Sequence, residues 1–331
     1  MENNFQSRRQ QRASQKQNSS IIETQQAPKT FLQKVKLFFF GKKEKKKPET
    51  FIEQIISLLR TAVTALVVVM IVNGIAVATF VVPTGSMENT VMTGDFLLVN
   101  KFKYGPSTPQ VVPFFNIPLP YYKTPPIIDP RQGDVIVFIY PGDRNEVKPK
   151  EFLYYLKRCV AVSGDVLQII NKKIMVNGVE FALPNNARYD PFISTMPYDT
   201  LRTFPIGKGY SKDNYGPIRV PKTGDIVNLS IQNLQEWQVF IGREGHKVET
   251  QGMQVLIDGV PSSSYTVEQD YVFGVGDNRD NSEDSRFWGF VPKQDVVGTP
   301  MMVYWSWNTD ANDFGTKLTS IRWSRLFNFI N

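Results

Sequence analysis

Cysteine and histidine each occur once in the 331-residue chain, as Cys159 and His246. One cysteine excludes an intramolecular disulfide framework and any cysteine-cluster zinc or iron–sulfur site. One histidine excludes multi-histidine metal centres and leaves a single candidate for a Ser–His–Asp triad. Neither a metal nor a cofactor is therefore expected. A basic body is lacking as well. The formal net charge is +7, but residues 1–60 hold 13 Lys and Arg against 5 Asp and Glu, and the remaining residues hold 25 against 26. The basic excess lies in a tail, the rest is close to neutral, and no nucleic-acid partner is expected.

Residues 1–30 are polar and show no apolar period, which reads as disorder. Phe31–Phe40 is short and apolar, with Lys34 and Lys36 in it and Lys42–Lys47 behind it; lipid contact is one reading and a solvated tail the other. Thr61–Val82 contains no charged residue. A bilayer core needs about 20 apolar residues, so this run is expected to be one transmembrane helix over 61–82. A cleaved signal peptide would start near residue 1 and have a shorter apolar core. The positive-inside rule then puts residues 1–60 in the cytoplasm, with Arg60 at the cytoplasmic end, and the remainder on the far side of the membrane.

Beyond the run, short apolar stretches are broken by Gly, Pro, Asn and Asp, a β pattern. Strands are expected at Phe96–Asn100, Asp134–Tyr140, Phe152–Val162, Val166–Ile170, Lys173–Val176, Asp225–Leu229, Lys247–Glu249, Met253–Ile257 and Tyr271–Val275. Asn177-Gly178 and Asp258-Gly259 read as two-residue hairpin turns. The proline-rich stretch Tyr104–Pro130 suits an extended connection. Ile321, Trp323, Leu326, Phe327 and Ile330 fall at helical intervals, which predicts a short amphipathic helix in a C-terminal tail over 309–331; docking on the β structure is the favoured reading and lying on the membrane the other.

Three stretches carry reactive side chains. Pro83-Thr84-Gly85-Ser86-Met87 follows the apolar run directly; taken alone it is a turn. In Phe152–Val162, alternation places Leu153, Tyr155, Lys157 and Cys159 on one strand face. A lysine there is either an edge-strand device against aggregation or an amine whose desolvation lowers its pKa until it accepts a proton. Gly276–Gly289 is a polar, charged loop. Asp277, Asp280 and Asp284 suggest a calcium loop, but Arg279 and Arg286 and the missing EF-hand spacing count against one.

In this order, behind a membrane span, these elements resemble bacterial type I signal peptidases. The resemblance rests on PTGSM at 83–87, GDFLLVNKFKYG at 94–105, RQGDVIVF at 131–138, YLKRCVAVSGD at 155–165 and GDNRDNSEDSRFWGFVP at 276–292. It implies a mainly β, signal-peptidase-like catalytic fold over 83–170 and 270–308, with an inserted smaller β-rich domain over 171–269. It implies Ser86 as nucleophile and Lys157 as general base, with no role for His246. Thr84, where the family usually has serine, would supply an oxyanion-hole hydroxyl beside the Ser86 N–H. Ser282 would hydrogen-bond and orient Lys157, while Asp277, Arg279, Asp284 and Arg286 would be scaffold. Phe80, Val82, Met87 and Leu156 would wall a shallow pocket. Asn89, Ala161 and Ser163 depart from the family's frequent Pro, Gly and Pro without removing a reactive group.

The implied activity is removal of signal peptides from secretory preproteins at small-x-small sites by an acyl-enzyme route, at the inner (cytoplasmic) membrane, in contact with lipid and close to the secretion translocon. Two alternatives stay open: a Ser–Lys self-cleaving regulator, disfavoured by the span and the near-neutral body, and a membrane-anchored β-rich binding protein. Cys159 either lines the site or is buried structure.

Overall fold

The computed structural model describes residues 50–108, 111–112, 117–192, 201–311 and 313–330. Residues 1–30, Phe31–Phe40 and Lys42–Lys47 lie outside the described residues. The first element is helix α1 (Phe51–Ile75). It begins on a capping box in which Glu53 N–H donates to Thr50 Oγ1 and Thr50 N–H donates to Glu53 Oε2, both at 3.3 Å, satisfying donors left free at a helix start. Phe51–Val72 is long and apolar enough to cross a membrane.

The span expected at 61–82 is therefore displaced. Its helix starts ten residues earlier, and its last part is strand β1 (Val77–Val81). β1 pairs antiparallel along its whole length with β2 (Asp95–Asn100), Val77 opposite Asn100 and Val81 opposite Phe96. A continuous apolar run does not distinguish a helix from a strand, and here a tertiary partner divides it.

Along the chain follow β3 (Val111–Val112) and β4 (Ile117–Pro118), a small pair; β5 (Val135–Ile139) and β6 (Tyr154–Val162) of the main sheet; then β7 (Val166–Ile170), β8 (Lys173–Val176) and β9 (Val179–Glu180). β10 (Tyr215–Arg219), β11 (Ile226–Asn228), helix α2 (Leu234–Arg243), β12 (Val248–Gln251), β13 (Gln254–Ile257), β14 (Val260–Pro261) and β15 (Ser264–Thr266) come next. The chain returns to the main sheet through β16 (Tyr271–Val275), short helix α3 (Ser285–Trp288), β17 (Val291–Pro292) and β18 (Val296–Ser306), and ends with helix α4 (Phe314–Thr319) and β19 (Asn328–Phe329).

The main sheet runs β1-β2-β18-β5-β6-β16-β17, with β19 added on β18, and all its pairs are antiparallel. The two hairpin turns form as the sequence indicates: Asn177-Gly178 and Asp258-Gly259 take positive φ at both positions and join β8 to β9 and β13 to β14. The strand that the pattern conceals is β18, which pairs with β2, β5 and β19. It carries Gly298 and Pro300, and its register shifts at both places. A Cβ on Gly298 would lie 2.6 Å from Val99 Cγ1 and 2.7 Å from Asn100 O, so only glycine admits this approach.

β7 pairs with β8 and β10 in a four-stranded sheet order β10-β7-β8-β9 rather than joining the main sheet. The segment after β6 is not packed around a core of its own. Leu167, Ile169, Ile174, Tyr215, Phe240 and Ile241 share one apolar cluster with Val160, Ala161, Tyr271 and Phe273 of the main sheet. The C-terminal helix expected over Thr319–Ile330 is replaced by α4, a turn at Trp323–Arg325 and β19. Pairing with β18 and the Arg325 guanidinium on buried Asp95 (Nη2–Oδ2, 2.6 Å) decide that conformation, which does dock on the sheet.

Candidate active site

β1 delivers the chain into an extended Pro83-Thr84, and Gly85–Met87 then makes one turn of 3-10 helix. Met87, 1% exposed, roots this turn in an apolar cluster with Val82, Val91, Leu97 and Val137. Its outer side is held by Asn278, whose backbone N–H donates to Ser86 O (3.0 Å) and whose Nδ2 donates to Gly85 O (2.9 Å). Ser86 is thus fixed from both sides, with its hydroxyl toward β6. Thr84 is exposed beside it and makes no side-chain cap bond to the turn.

Lys157 Nζ lies 2.7 Å from Ser86 Oγ. The lysine is 3% exposed, with the Tyr155 and Trp288 rings 5.5 and 5.8 Å from its amine. Burial pushes its pKa down from 10.5 to about 8; Asp284, Glu283 and Asp277 oppose the fall through space. Against 10.5, that change raises the neutral fraction at pH 7 from roughly 3 in 10,000 to about one in ten.

The loop from Gly276 to Gly289 packs against both groups. A Cβ on Gly276 would sit 2.1 Å from Ser282 Oγ and 2.6 Å from the Ser86 carbonyl oxygen, so the loop reaches this depth only with glycine there. Ser282 Oγ is buried and has no hydrogen-bond partner among the described residues; the bond to Lys157 expected from the sequence is not made. Asp284, fully buried, accepts from Arg286 Nε (2.8 Å) and Nη2 (2.8 Å) and from the Gly276 N–H (3.0 Å). Burial works against its ionisation, yet the Arg286 charge and these bonds hold its pKa below the usual carboxylate range.

Asp277 finds its partner outside the loop. Arg158, the residue after Lys157, donates to it through Nε (2.9 Å) and Nη2 (2.8 Å). Arg279 is buried, donates through Nη1 to Lys172 O (3.1 Å), and is pushed down to about 9 by burial.

A cleft of about 580 Å³ opens over the Ser86–Lys157 pair. Phe80, Val82, Met87 and Leu156 line it, with Thr84 and Ser282. Leu97, Val137, Tyr154, Phe287, Arg202, Lys212, Asp280 and Glu283 also line it and were not anticipated. Tyr154 carried a sequence signal, its place three residues before Lys157 in an apolar strand; Arg202 and Lys212 carried none. Cys159 is fully buried in the core and outside the cleft lining, and burial pushes its thiol pKa up. His246 lies after α2, between Asp258 (2.6 Å) and Glu268 (2.9 Å), away from the cleft lining. Among the described residues, no group of three or more His, Cys, Asp or Glu side chains could hold a metal ion.

Comparison with known proteins identifies the family to which a chain with this β framework belongs. The family described as signal peptidase, peptidase S26, matches residues 55–305. The chain is 27% identical to signal peptidase I of Helicobacter pylori over 84% of its own length and 93% of that protein's. To signal peptidase I of Buchnera aphidicola subsp. Schizaphis graminum it is 29% identical over 85% and 88%, and to that of Pseudomonas aeruginosa 28% over 73% and 69%. A crystal structure of a signal peptidase I from Enterococcus faecalis aligns at 18% identity and a TM-score of 0.25, over 52% of this chain and 97% of that one. The chain belongs to the signal peptidase family, peptidase S26. It is an enzyme of the signal peptidase I type, a serine endopeptidase.

Proposed function

We propose that the protein is a membrane-anchored endopeptidase that removes signal peptides from secretory preproteins by a Ser86–Lys157 dyad and an acyl-enzyme. The observation that carries this is the 2.7 Å approach of Ser86 Oγ to a lysine whose pKa burial has lowered to about 8. Neutral Lys157 takes the Ser86 proton as the oxygen attacks the scissile carbonyl. The Ser86 N–H and the Thr84 hydroxyl stabilise the oxyanion, each worth about 3 kcal/mol. Lys157 then protonates the leaving amine, and afterwards deprotonates the water that releases the acyl group. Ser282 limits the positions open to the Lys157 amine by occupying the buried space beside it. Asp277, Arg279, Asp284 and Arg286 keep the surrounding loop in place.

The substrate main chain adds as a strand between β1 and the start of β6. Among the described residues, β16 meets β6 at Arg158–Val162, and β1 is paired with β2 on one side. Phe80, Val82, Met87 and Leu156, with Tyr154, form walls that favour small side chains at the cleavage site. α1 spans the membrane over Phe51–Val72, the basic residues before it contribute the cytoplasmic positive charge, and the β structure works on the outer face of the inner membrane, beside lipid and the secretion translocon. A preprotein with an Ala-x-Ala site tests the reading: Ser86→Ala and Lys157→Ala each abolish its cleavage while folding is retained. Normal processing by either variant overturns it.

A further inference from the structure

The segment inserted after β6 meets the catalytic loop at several places, through Lys172, Arg202 and Lys212 and through a strap at residues 186–190. Arg188 forms a parallel bridge with Asn278: its N–H donates to Asp277 O (2.8 Å) and its carbonyl accepts from the Arg279 N–H (2.8 Å). Asn278, bracketed by these two bonds, is the residue that holds the Gly85 and Ser86 carbonyls. Two side chains of the strap reach the same turn. Arg188 Nη1 donates to Glu88 Oε2 (3.0 Å), and Asn186 Nδ2 donates to Thr90 Oγ1 (2.8 Å).

The strap is itself anchored at its far end. The Asp190 N–H donates to Asp280 Oδ2 (2.6 Å) and Lys172 Nζ to Asp190 O (2.8 Å), while Lys172 and Lys212 both pair with Asp280. Burial alone would raise the Asp280 pKa; the hydrogen bonds from Asp190, Lys172 and Lys212 overcome it and hold the carboxyl at about 2. The anchor therefore stays ionised at neutral pH.

We infer that the inserted segment is a working part of the active site, its strap acting through Arg188 and Asn278 to position the Ser86 turn against Lys157. The strap touches neither the Ser86 hydroxyl nor the Lys157 amine, so it is a positioning element. Its physical role is the stiffness of a second layer: a strand bridge with two main-chain bonds limits the excursions of Asn278, and Asn278 limits those of the nucleophile. A displacement of about 1 Å at reacting atoms can cost about 100-fold in rate. This inference rests on Ser86 as the nucleophile.

The test uses the full-length enzyme in vesicles, with a preprotein substrate. Arg188→Pro removes the N–H donated to Asp277 O and is expected to lower kcat at least tenfold, with KM within about threefold. The apparent pKa governing the acid side of the pH profile stays in place, because Lys157 keeps its surroundings. The double variant Asn186→Gly/Arg188→Gly retains every main-chain donor but loosens the strap; it is expected to lower kcat by about threefold to tenfold in the same sense. It serves as the test if Arg188→Pro does not fold. Met253→Ala, on the exposed hairpin between β12 and β13, leaves kcat unchanged. The inference is overturned if folded strap variants keep kcat within twofold of the parent, or if their loss lies in KM. Cleavage by Ser86→Ala overturns the nucleophile assignment and the inference together. An inactive Ser86→Ala beside fully active strap variants overturns the inference alone.

Discussion

Lys157 and Arg158 are consecutive residues of β6, both cationic and both almost fully buried, at 3% and 4% exposure. The strand pleat sends them to opposite faces. Arg158 meets a carboxylate geometry it can satisfy, two near-parallel bonds to Asp277 plus a bond to Gly133 O (2.7 Å). Lys157 meets a serine hydroxyl and two aromatic rings. One site compensates a buried charge and the other makes charge costly. Adjacent positions in sequence thus divide into an ion-paired cation and an amine beside a hydroxyl, and the divider is the set of partners each strand face meets.

The largest expected effect breaks the Lys157 side of this pair. Lys157→Ala is expected to reduce preprotein cleavage by at least ~10⁴-fold, as loss of a base from a unit that acts together does, in a variant whose thermal transition shows it folded. Next comes the Arg158 side: Asp277→Ala strands a buried guanidinium and is expected to cost about 3–5 kcal/mol in denaturant unfolding. Gly276→Ala perturbs the loop that separates the two environments. Its Cβ collides with Ser282 and with the Ser86 carbonyl, so kcat is expected to fall about 100-fold by the misplacement argument, measured with the same preprotein.

Two smaller effects follow from protonation. Only neutral Lys157 is a base, so kcat/KM is expected to rise with pH and level off above about 8, the value to which burial has lowered the lysine. A profile already flat at pH 6 would contradict this. Below that pH the folded enzyme carries an ammonium in an apolar site. The unfolded chain binds the additional proton between about 8 and 10.5, so the cost to stability is full below 8 and fades as pH rises to 10.5. Lys157→Met is therefore expected to melt a few degrees higher than the parent at pH 7, with the gap closing toward pH 10 in calorimetry.

The candidate site residues were legible before the fold. Ser86, Lys157 and the loop after Val275 stood out because their residue types are unusual for their surroundings: a serine in a tight turn behind an apolar run, a lysine in an apolar strand, and a dense polar loop. Local signals also carried the two-residue turns, since Asn-Gly and Asp-Gly tolerate positive φ at both positions. Less was legible where a distant partner decides the outcome. The apolar run over Thr61–Val82 divides into helix and strand because β2 offers Val77–Val81 a full ladder. β18 hid behind Gly298 and Pro300, residues that argue against a strand until the close approach of Val99 and the register shift are seen. The C-terminal helical spacing yielded to pairing with β18 and to Asp95.

The sequence by itself determined the candidate reactive groups, their order along the chain, the basic tail with its apolar successor, and the resemblance to the signal peptidase family. Tertiary structure alone decided which buried charges have partners. Among the described residues it gave Asp277 to Arg158, a serine hydroxyl to Lys157 and no hydrogen-bond partner to Ser282 Oγ, and it brought Arg188 of the inserted segment onto the loop that holds the Ser86 turn. Burial and hydrogen bonding are set by groups distant in sequence, and the same lysine is an inert cation or a base according to what the fold packs around it.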